Sequence, residues 1–272
     1  MDSTQARLDN FGNMSTLPSG HAGQSPIFHI MASHYIELAQ NANTALGAGA
    51  ILYKTATTTA GGAEAIDFTQ EAKGNTGDVI YSVELDSVPP GTYQYLRVSL
   101  AYQNYDVTFR VDTTLYYNSV AVPIHQDFPC TIASFVGYNT FLSSYTINTQ
   151  SITVNGNKLQ GYWGAEEKID LSAYGYSQTF TQTGQAQSTT VVNPISATSP
   201  IPAGSCVVTA GFQPGSLTIT GNETQDIVVT VGLSTNKSFE WQDLNGNGKW
   251  DALSGENVVD MGIRGMVPTV SH

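Results

Sequence analysis

The stretch Asp243–Glu256, DLNGNGKWDALSGE, places oxygen-bearing side chains at short intervals and separates them with glycines. Ca²⁺ takes about six to eight hard oxygen ligands from carboxylates, amides, backbone carbonyls and water. A short loop supplies them when alternate side chains turn inward and a glycine permits the sharp bend. The stretch is therefore a candidate calcium loop.

The spacing follows the ion-binding loop of an EF-hand through its first nine positions. Asp243 takes the first position, and Gly248 takes the sixth, where that loop bends sharply. Position twelve holds Ser254 in place of the usual Glu, and the next acid, Glu256, comes two residues later. The predicted ligands are Lys249, through its carbonyl, and the side chains of Asp243, Asn245, Asn247, Asp251 and Glu256.

Two other roles suit the same residue types. Asp and Asn also cap turns in hairpin loops that hold no ion. Asp243 and Glu256 could instead form a catalytic acid/base pair, which requires one carboxyl in an apolar pocket with a raised pKa. Because both acids lie among amides and glycines, the pattern favours a cation, and no GxSxG nucleophile motif occurs elsewhere. We therefore expect a non-enzymatic protein.

Aromatic residues form a second candidate site. The chain holds 14 Tyr and 3 Trp, and two neighbouring segments, LQGYWG and SAYGYSQTF, are rich in them. On an exposed sheet face such rings stack on sugars, whereas in a core or at a strand edge they pack against other side chains. Both alternatives are open for Tyr162, Trp163, Tyr174 and Tyr176.

The charge of the chain excludes some partners. Charged residues make up only 12% of the sequence, and the formal net charge is −12 with Lys and Arg scattered singly. Nothing in this pattern neutralises a row of phosphates, so we expect no nucleic-acid partner. No apolar run reaches the roughly 18 residues of a membrane span, so we expect no transmembrane segment.

Alternating apolar residues predict an all-β protein. In GTYQYLRVSLAYQNYDVTFRV, every second residue of 96–102 is apolar, and 105–111 alternate on the opposite parity. This change of face predicts a bulge or tight turn near Gln103–Asn104. Asn155-Gly156 predicts a two-residue hairpin turn. The expected fold is an antiparallel β-sandwich of immunoglobulin-like or jelly-roll type, as one body or two lobes.

The ends of the domain and the two cysteines complete the predicted organisation. Residues 1–26 are rich in Ser, Gly, Asn and Pro and predict a flexible tether before a sandwich over 27–272. The segment 172–204 is low in charge and predicts a soft boundary inside the sandwich. Cys130 and Cys206 are either a disulfide or two buried thiols. Glu166 belongs to an acidic group, GAEEKIDL, that we expect to be solvated.

Two resemblances extend these predictions. The segment DLNGNGKWDALSGE resembles the DxNxNGxWDxGE calcium loops of bacterial extracellular β proteins, with Glu256 in place of their closing acid. Together with the polar start and the PPGTYQYLRVSL turn and strand, it resembles uncharacterised outer-membrane lipoproteins of Bacteroidetes-type bacteria. That resemblance implies an exported protein, extracellular or lipid-anchored at the outer-membrane surface, whose signal segment has been removed.

The predicted function is therefore that of a calcium-stabilised binding or accessory lipoprotein with a polysaccharide or a surface protein as its partner. A glycan-binding module that uses exposed Tyr and Trp is one alternative. A structural subunit of a surface assembly or fibre is the other.

Overall fold

The structure, a computed structural model, describes residues 1–9, 12–186, 197, 201–202, 204–261, 263 and 265–271. Strands account for 57% of the chain and helix for about 5%, and nearly all strand pairs are antiparallel. The predicted all-β, antiparallel, sandwich-like fold is confirmed. Within the described residues, no helix has the length and apolar character needed to cross a bilayer.

The described residues form strands that we number β1 to β19. Their bounds are β1 His21–Gln24, β2 Ile27–Ala39, β3 Ala50–Lys54, β4 Thr57–Thr58, β5 Ala65–Asp67, β6 Ala72–Asn75, β7 Gly91–Tyr93, β8 Tyr95–Tyr117, β9 Val120–Phe135, β10 Asn139–Thr146, β11 Ser151–Leu159, β12 Tyr162–Leu171, β13 Tyr176–Gln185, β14 Cys206–Gly211, β15 Leu217–Ile219, β16 Val228–Leu233, β17 Phe239–Gln242, β18 Val258–Met261 and β19 Met266–Ser271.

The largest sheet has the order β13-β12-β9-β8-β2-β3, with β14 added to β8 and β6 added to β2. Its central hairpin joins β8 to β9 without a register shift from the pair Tyr102/Phe135 to the pair Tyr117/Val120. The turn between them is Asn118-Ser119, and both residues have positive φ (48° and 64°). Positive φ at both central residues of a two-residue turn matches the right-handed twist of the paired strands.

The other described strands form four smaller sheets. They have the orders β11-β10-β5-β4, β1-β17-β18, β15-β7 and β16-β19, and the β5–β10 contact is parallel. Asn155-Gly156 lies inside β11, where the register against β10 shifts, rather than in a hairpin turn. Asn155 has φ of 49°, so the sequence signal for a left-handed residue is correct although the predicted hairpin is wrong.

Of the three apolar clusters among the described residues, the two largest lie on opposite faces of the largest sheet, and β8 contributes side chains to both. Tyr105 and Val107 belong to the larger core, while Tyr102 belongs to a second core shared with β10. In the pairing with β2, Leu100 faces Ser33 and Tyr102 faces Ala32, which leaves Ala101 as an extra residue. The predicted change of face is thus produced by a bulge at Ala101, two residues before the predicted position.

The N-terminal segment does not form the predicted tether. β1 pairs with β17 over four residues, and Asp2 N donates to Leu233 O at 2.9 Å. The guanidinium of Arg7 pairs with the buried carboxylate of Glu240. These contacts attach the described part of residues 1–26 to the C-terminal strands.

The predicted boundary at 172–204 contains a strand of the largest sheet. β13 pairs with β12 over ten residues, from Tyr176/Leu171 to Gln185/Tyr162, without a register shift. After it, β14 returns to pair with β8. Residues 187–196, 198–200 and 203 of the predicted boundary lie outside the described residues.

Both cysteines are buried and neither forms a disulfide, so the disulfide alternative is wrong. Cys130 lies opposite Val107 and Cys206 lies opposite Leu100 on the same edge of β8. Seven residues of extended strand separate those positions by roughly 20 Å. A disulfide requires Cα atoms within about 7 Å.

Two buried glutamates, Glu166 and Glu71, differ in the hydrogen bonds that their carboxyl groups make. Glu166 was expected to be solvated, but it is buried and its carboxylate accepts from the backbone N–H groups of residues 148–150 at 2.8–3.0 Å. Glu71 is buried with no hydrogen-bond partner on either oxygen among the described residues. Burial, opposed by nearby Lys73, raises the pKa of Glu71 to about 8.

Truncation of Phe135 should test the second core. Its buried ring packs against those of Phe68, Tyr102, Tyr145 and Tyr162. Phe135→Ala should lower the free energy of unfolding by about 3–5 kcal/mol because it removes these contacts and leaves a cavity. Denaturant unfolding measures the change, and Tyr116→Ala at a 77% exposed position is the control. A loss below 1 kcal/mol, similar to the control, would contradict the two-core description.

Glu71 should make stability fall as the pH rises. Between the ordinary pKa of 4.5 and the folded-state value of about 8, the folded protein keeps a proton that the unfolded chain releases. The free energy of unfolding should therefore drop by up to about 1.4 kcal/mol per pH unit over that interval and level off above it. Glu71→Gln should remove this dependence in urea titrations at successive pH values. An unchanged slope, or the same effect from the exposed Glu84→Gln, would refute the assignment.

Candidate functional site

The loop Asp243–Glu256 connects β17 to β18 and is held at both ends by backbone hydrogen bonds. Gln242 N donates to Asn257 O, and Asp243 N donates to Gly20 O, both at 3.0 Å. Within the loop, Trp250 is buried against Phe239 with 4.9 Å between the ring centroids. The carbonyl of Trp250 accepts from Arg110 N at 2.7 Å, so the loop is also fixed to β8.

Asp243 organises the first half of the loop. Its two carboxylate oxygens accept from Gly246 N and Gly248 N, each at 3.0 Å. Both glycines have positive φ (73° and 69°), a conformation that other L-residues adopt only with strain. The glycines at these positions therefore let the chain turn around the carboxylate, as the sequence predicts.

Asp251 is the point on which two amides converge. It is 3% exposed, and its Oδ2 accepts from the Nδ2 groups of Asn245 at 2.9 Å and Asn247 at 2.8 Å. The Oδ1 atoms of the two asparagines accept from the backbone N–H groups of Asn247 and Lys249. These short-range hydrogen bonds are also what the turn-capping alternative predicts.

Glu256 closes the loop although it stands two residues later than in an EF-hand. It is 6% exposed, and its oxygens accept from Leu244 N at 2.9 Å and from Asp251 N at 2.8 Å. One carboxylate thus links the second, ninth and last positions of the stretch. Glu256 thereby binds the backbone of Asp251, the residue whose carboxylate accepts from both asparagines.

Lys249 is the predicted ligand that the structure directs elsewhere. Its carbonyl accepts from Nε1 of the buried Trp241 at 3.0 Å, so this oxygen is aimed at the indole. Its ammonium group contacts Asp127 on β9 at 2.6 Å, outside the loop. Of the six predicted ligands, the structure brings together the side chains of Asn245, Asn247 and Asp251 by hydrogen bonds, while Asp243 and Glu256 bind backbone N–H groups of the same loop.

The three acids of the loop are not matched by basic side chains. Among the described residues, no Lys, Arg or His forms an ion pair with Asp243, Asp251 or Glu256. In the same part of the chain, no group of three or more His, Cys, Asp or Glu side chains is arranged to hold a metal ion. A cation in this loop would therefore need amide, backbone or water oxygens in addition to the acids.

The four aromatic residues predicted as a binding platform are not brought together. Tyr162 is buried in the second core, and Trp163 points to the opposite face of β12, where it packs against the larger core. Tyr174 and Tyr176 are exposed at the other end of β12, roughly 25 Å away along the strand. Tyr117 meets Tyr174 edge to face at 5.9 Å, so the exposed rings group with the tip of the β8–β9 hairpin.

A buried acid that the sequence did not reveal joins the two ends of the chain. Glu240 is buried and lies between Arg7 and His21, whose Nδ1 is 2.5 Å from its carboxylate. Asp260 lies opposite Glu240 in β18. Because Arg7 and Glu240 are 233 residues apart, no local pattern could have identified this contact.

Comparison with protein-family models, with curated proteins and with solved structures gives no match for this chain.

Removal of the closing acid should open the loop. Glu256→Ala leaves the N–H groups of Leu244 and Asp251 without their acceptor, which should cost about 2 kcal/mol and expose the bond after Lys249 to trypsin. Mass spectrometry of timed digests identifies the cleavage. Asp127→Asn is the control because it weakens the contacts that Asp127 makes with Lys249 and Arg110 outside the loop and leaves both acceptor bonds of Glu256 in place. Equal cleavage of Glu256→Ala and the control would show that Glu256 does not close the loop.

Proposed function

We propose that this is a non-enzymatic, exported β-sandwich protein in which Ca²⁺ stabilises the loop Asp243–Glu256, and that it acts as a surface binding or accessory protein. The observation that carries the proposal is the set of three carboxylates in this loop, two of them buried, without an ion pair among the described residues. Buried charges are ordinarily paired or bound to a metal. A divalent cation would supply the missing charge.

The side chains at the centre of the loop fit a calcium ion chemically. The amides of Asn245 and Asn247 already face Asp251. Rotation of each amide by half a turn would replace its nitrogen with its oxygen and present two neutral oxygens beside a carboxylate. The rotation would cost each amide its bond to a backbone N–H, a loss that the ion must offset.

The two other acids keep coordinating capacity while they hold the backbone. An ionised carboxylate offers about four lone-pair sites, and Asp243 and Glu256 each use only two of them for the N–H groups described above. The same contacts fix the acids in place, so little side-chain freedom remains to be lost when an ion binds. No acid/base step is assigned to either residue.

In this proposal the ion connects two strands. The loop leaves β17 after Gln242, the neighbour of the buried Trp241, and enters β18 after Asn257. Without the ion, three like charges repel one another in a small volume. With it, the strand ends are held together, and through Trp250 the loop is held against the largest sheet.

An exported location is consistent with this chemistry. Extracellular calcium modules bind with Kd of roughly 10⁻⁴–10⁻³ M, a range reached where Ca²⁺ is abundant. The acidic, Lys-poor composition and the resemblance to bacterial surface lipoproteins support the same location. The partner would be a polysaccharide or another surface protein.

Calcium should raise the melting temperature. At a concentration ten times its Kd, a ligand adds about 1.4 kcal/mol, which for a chain of this size corresponds to a rise of about 2–4 °C. Calorimetry after chelation and then with millimolar CaCl₂ measures the shift, and tryptic cleavage after Lys249 should slow in parallel. MgCl₂ at the same concentration should have a smaller effect, because Mg²⁺ requires a stricter octahedral shell.

A matched pair of variants makes the test specific to the loop. Asp243→Asn should abolish the calcium shift, whereas Asp127→Asn, with the same change of charge on β9, should retain it. If millimolar CaCl₂ leaves the melting temperature of the wild-type protein unchanged, the proposal is wrong. An equal shift with both variants would place the ion elsewhere.

A further inference from the structure

The strand β13, Tyr176–Gln185, forms one edge of the largest sheet. It pairs with β12 over its whole length, and no described strand pairs with its other side. Eight of its ten residues are exposed, so its side chains project into solvent on both faces. An edge of this kind presents a row of backbone N–H and C=O groups that another strand can pair with.

β13 lacks the devices that usually protect such an edge. Proteins block edge pairing with charges, Pro, bulges or very short strands. The sequence of β13, YSQTFTQTGQ, contains no charge and no Pro, and its pairing with β12 has no register shift. By contrast, the edge strands β3 and β11 carry Lys54 and Lys158.

The side chains of β13 are arranged symmetrically about Phe180. Thr179 and Thr181 flank it, Gln178 and Gln182 follow, and Ser177 and Thr183 come next. The sequence Ser/Thr-Gln-Thr-Phe-Thr-Gln-Thr therefore reads alike in both directions. Two antiparallel copies aligned on Phe180 place Phe opposite Phe, Thr opposite Thr and Gln opposite Gln.

We propose that β13 is a self-association edge, on which a second copy of this chain pairs antiparallel about a two-fold axis at Phe180. A two-fold interface uses the same patch on both subunits, so it requires a self-complementary surface, and the symmetric sequence supplies one. Thr–Thr and aromatic pairs stabilise antiparallel neighbours. The largest sheet would then continue across both copies. This inference does not depend on the proposed calcium ion.

The expected association is weak. One pair of short strands buries less than the roughly 1,200 Å² of a stable interface, so the dimer should depend on concentration. Sedimentation velocity over increasing protein concentration should show the average mass rising from one chain toward two. A mass that stays at one chain up to high micromolar concentration overturns the proposal.

Charge placement tests the register. In the proposed pairing, Thr179 of one copy faces Thr181 of the other, and this occurs twice by symmetry. Like charges face one another in two double variants, Thr179→Lys/Thr181→Lys and Thr179→Glu/Thr181→Glu. Because like charges on opposite strands repel, each variant alone should self-associate at least about tenfold more weakly than wild type. Mixed in equal amounts, the two variants should form a mixed dimer, because every facing pair is then Lys with Glu.

A third variant and a control complete the design. Thr179→Glu/Thr181→Lys should associate at least as well as wild type, and within one chain its new charges face Lys168 and Glu166 favourably. Thr113→Lys/Thr114→Lys carries the same added charge on the exposed tip of β8 and should not affect association. Circular dichroism confirms that each variant folds. Association that resists both like-charge variants, or a mixture that stays monomeric, overturns the register.

Discussion

The pairing of β8 with its neighbours is the constraint on which the rest of the fold depends. β8 is hydrogen-bonded to β2 along one edge. Along its other edge it pairs first with β14 and then with β9. Its side chains enter cores on both faces of the sheet. Leu100 and Tyr105 have opposite parity along the strand yet belong to the same larger core, so the alternation must change phase between them, as it does at Ala101. The loop with the acids is fixed to the same strand through Arg110.

Those parts of the fold that are encoded locally could be predicted from the sequence. Alternation in β8 indicated the strand, the fold class and the change of face to within two residues. Asn155-Gly156 indicated a residue with left-handed backbone conformation. Whether such a residue ends a strand or forms a bulge inside it depends on the register against β10, and no local sequence pattern contains that register. The attachment of residues 1–26 likewise depends on Arg7 and Glu240, which only the folded chain brings together.

The candidate site shows the same division between local and long-range information. Asn245 and Asn247 meet Asp251, and Asp243 and Glu256 hold the backbone, because a fourteen-residue loop with positive-φ glycines folds around its own carboxylates. The carbonyl of Lys249 accepts a hydrogen bond from the indole of Trp241, a contact that the spacing within the loop does not indicate. The side chains of Tyr162 and Trp163 do not form one surface, because adjacent residues on a strand point to opposite faces.

The arrangement of the loop suggests why its acids are held by backbone N–H groups. Such groups carry partial positive charge and stabilise an ionised carboxylate without a full counter-charge. They hold the carboxylates of Asp243 and Glu256 in a fixed orientation while Lys249 is directed outward to Asp127. A lysine turned inward would offset one of the three acids and compete with a cation for their oxygens. With Lys249 outside, the acids keep room for the proposed Ca²⁺, whose binding would then stabilise the β17–β18 connection.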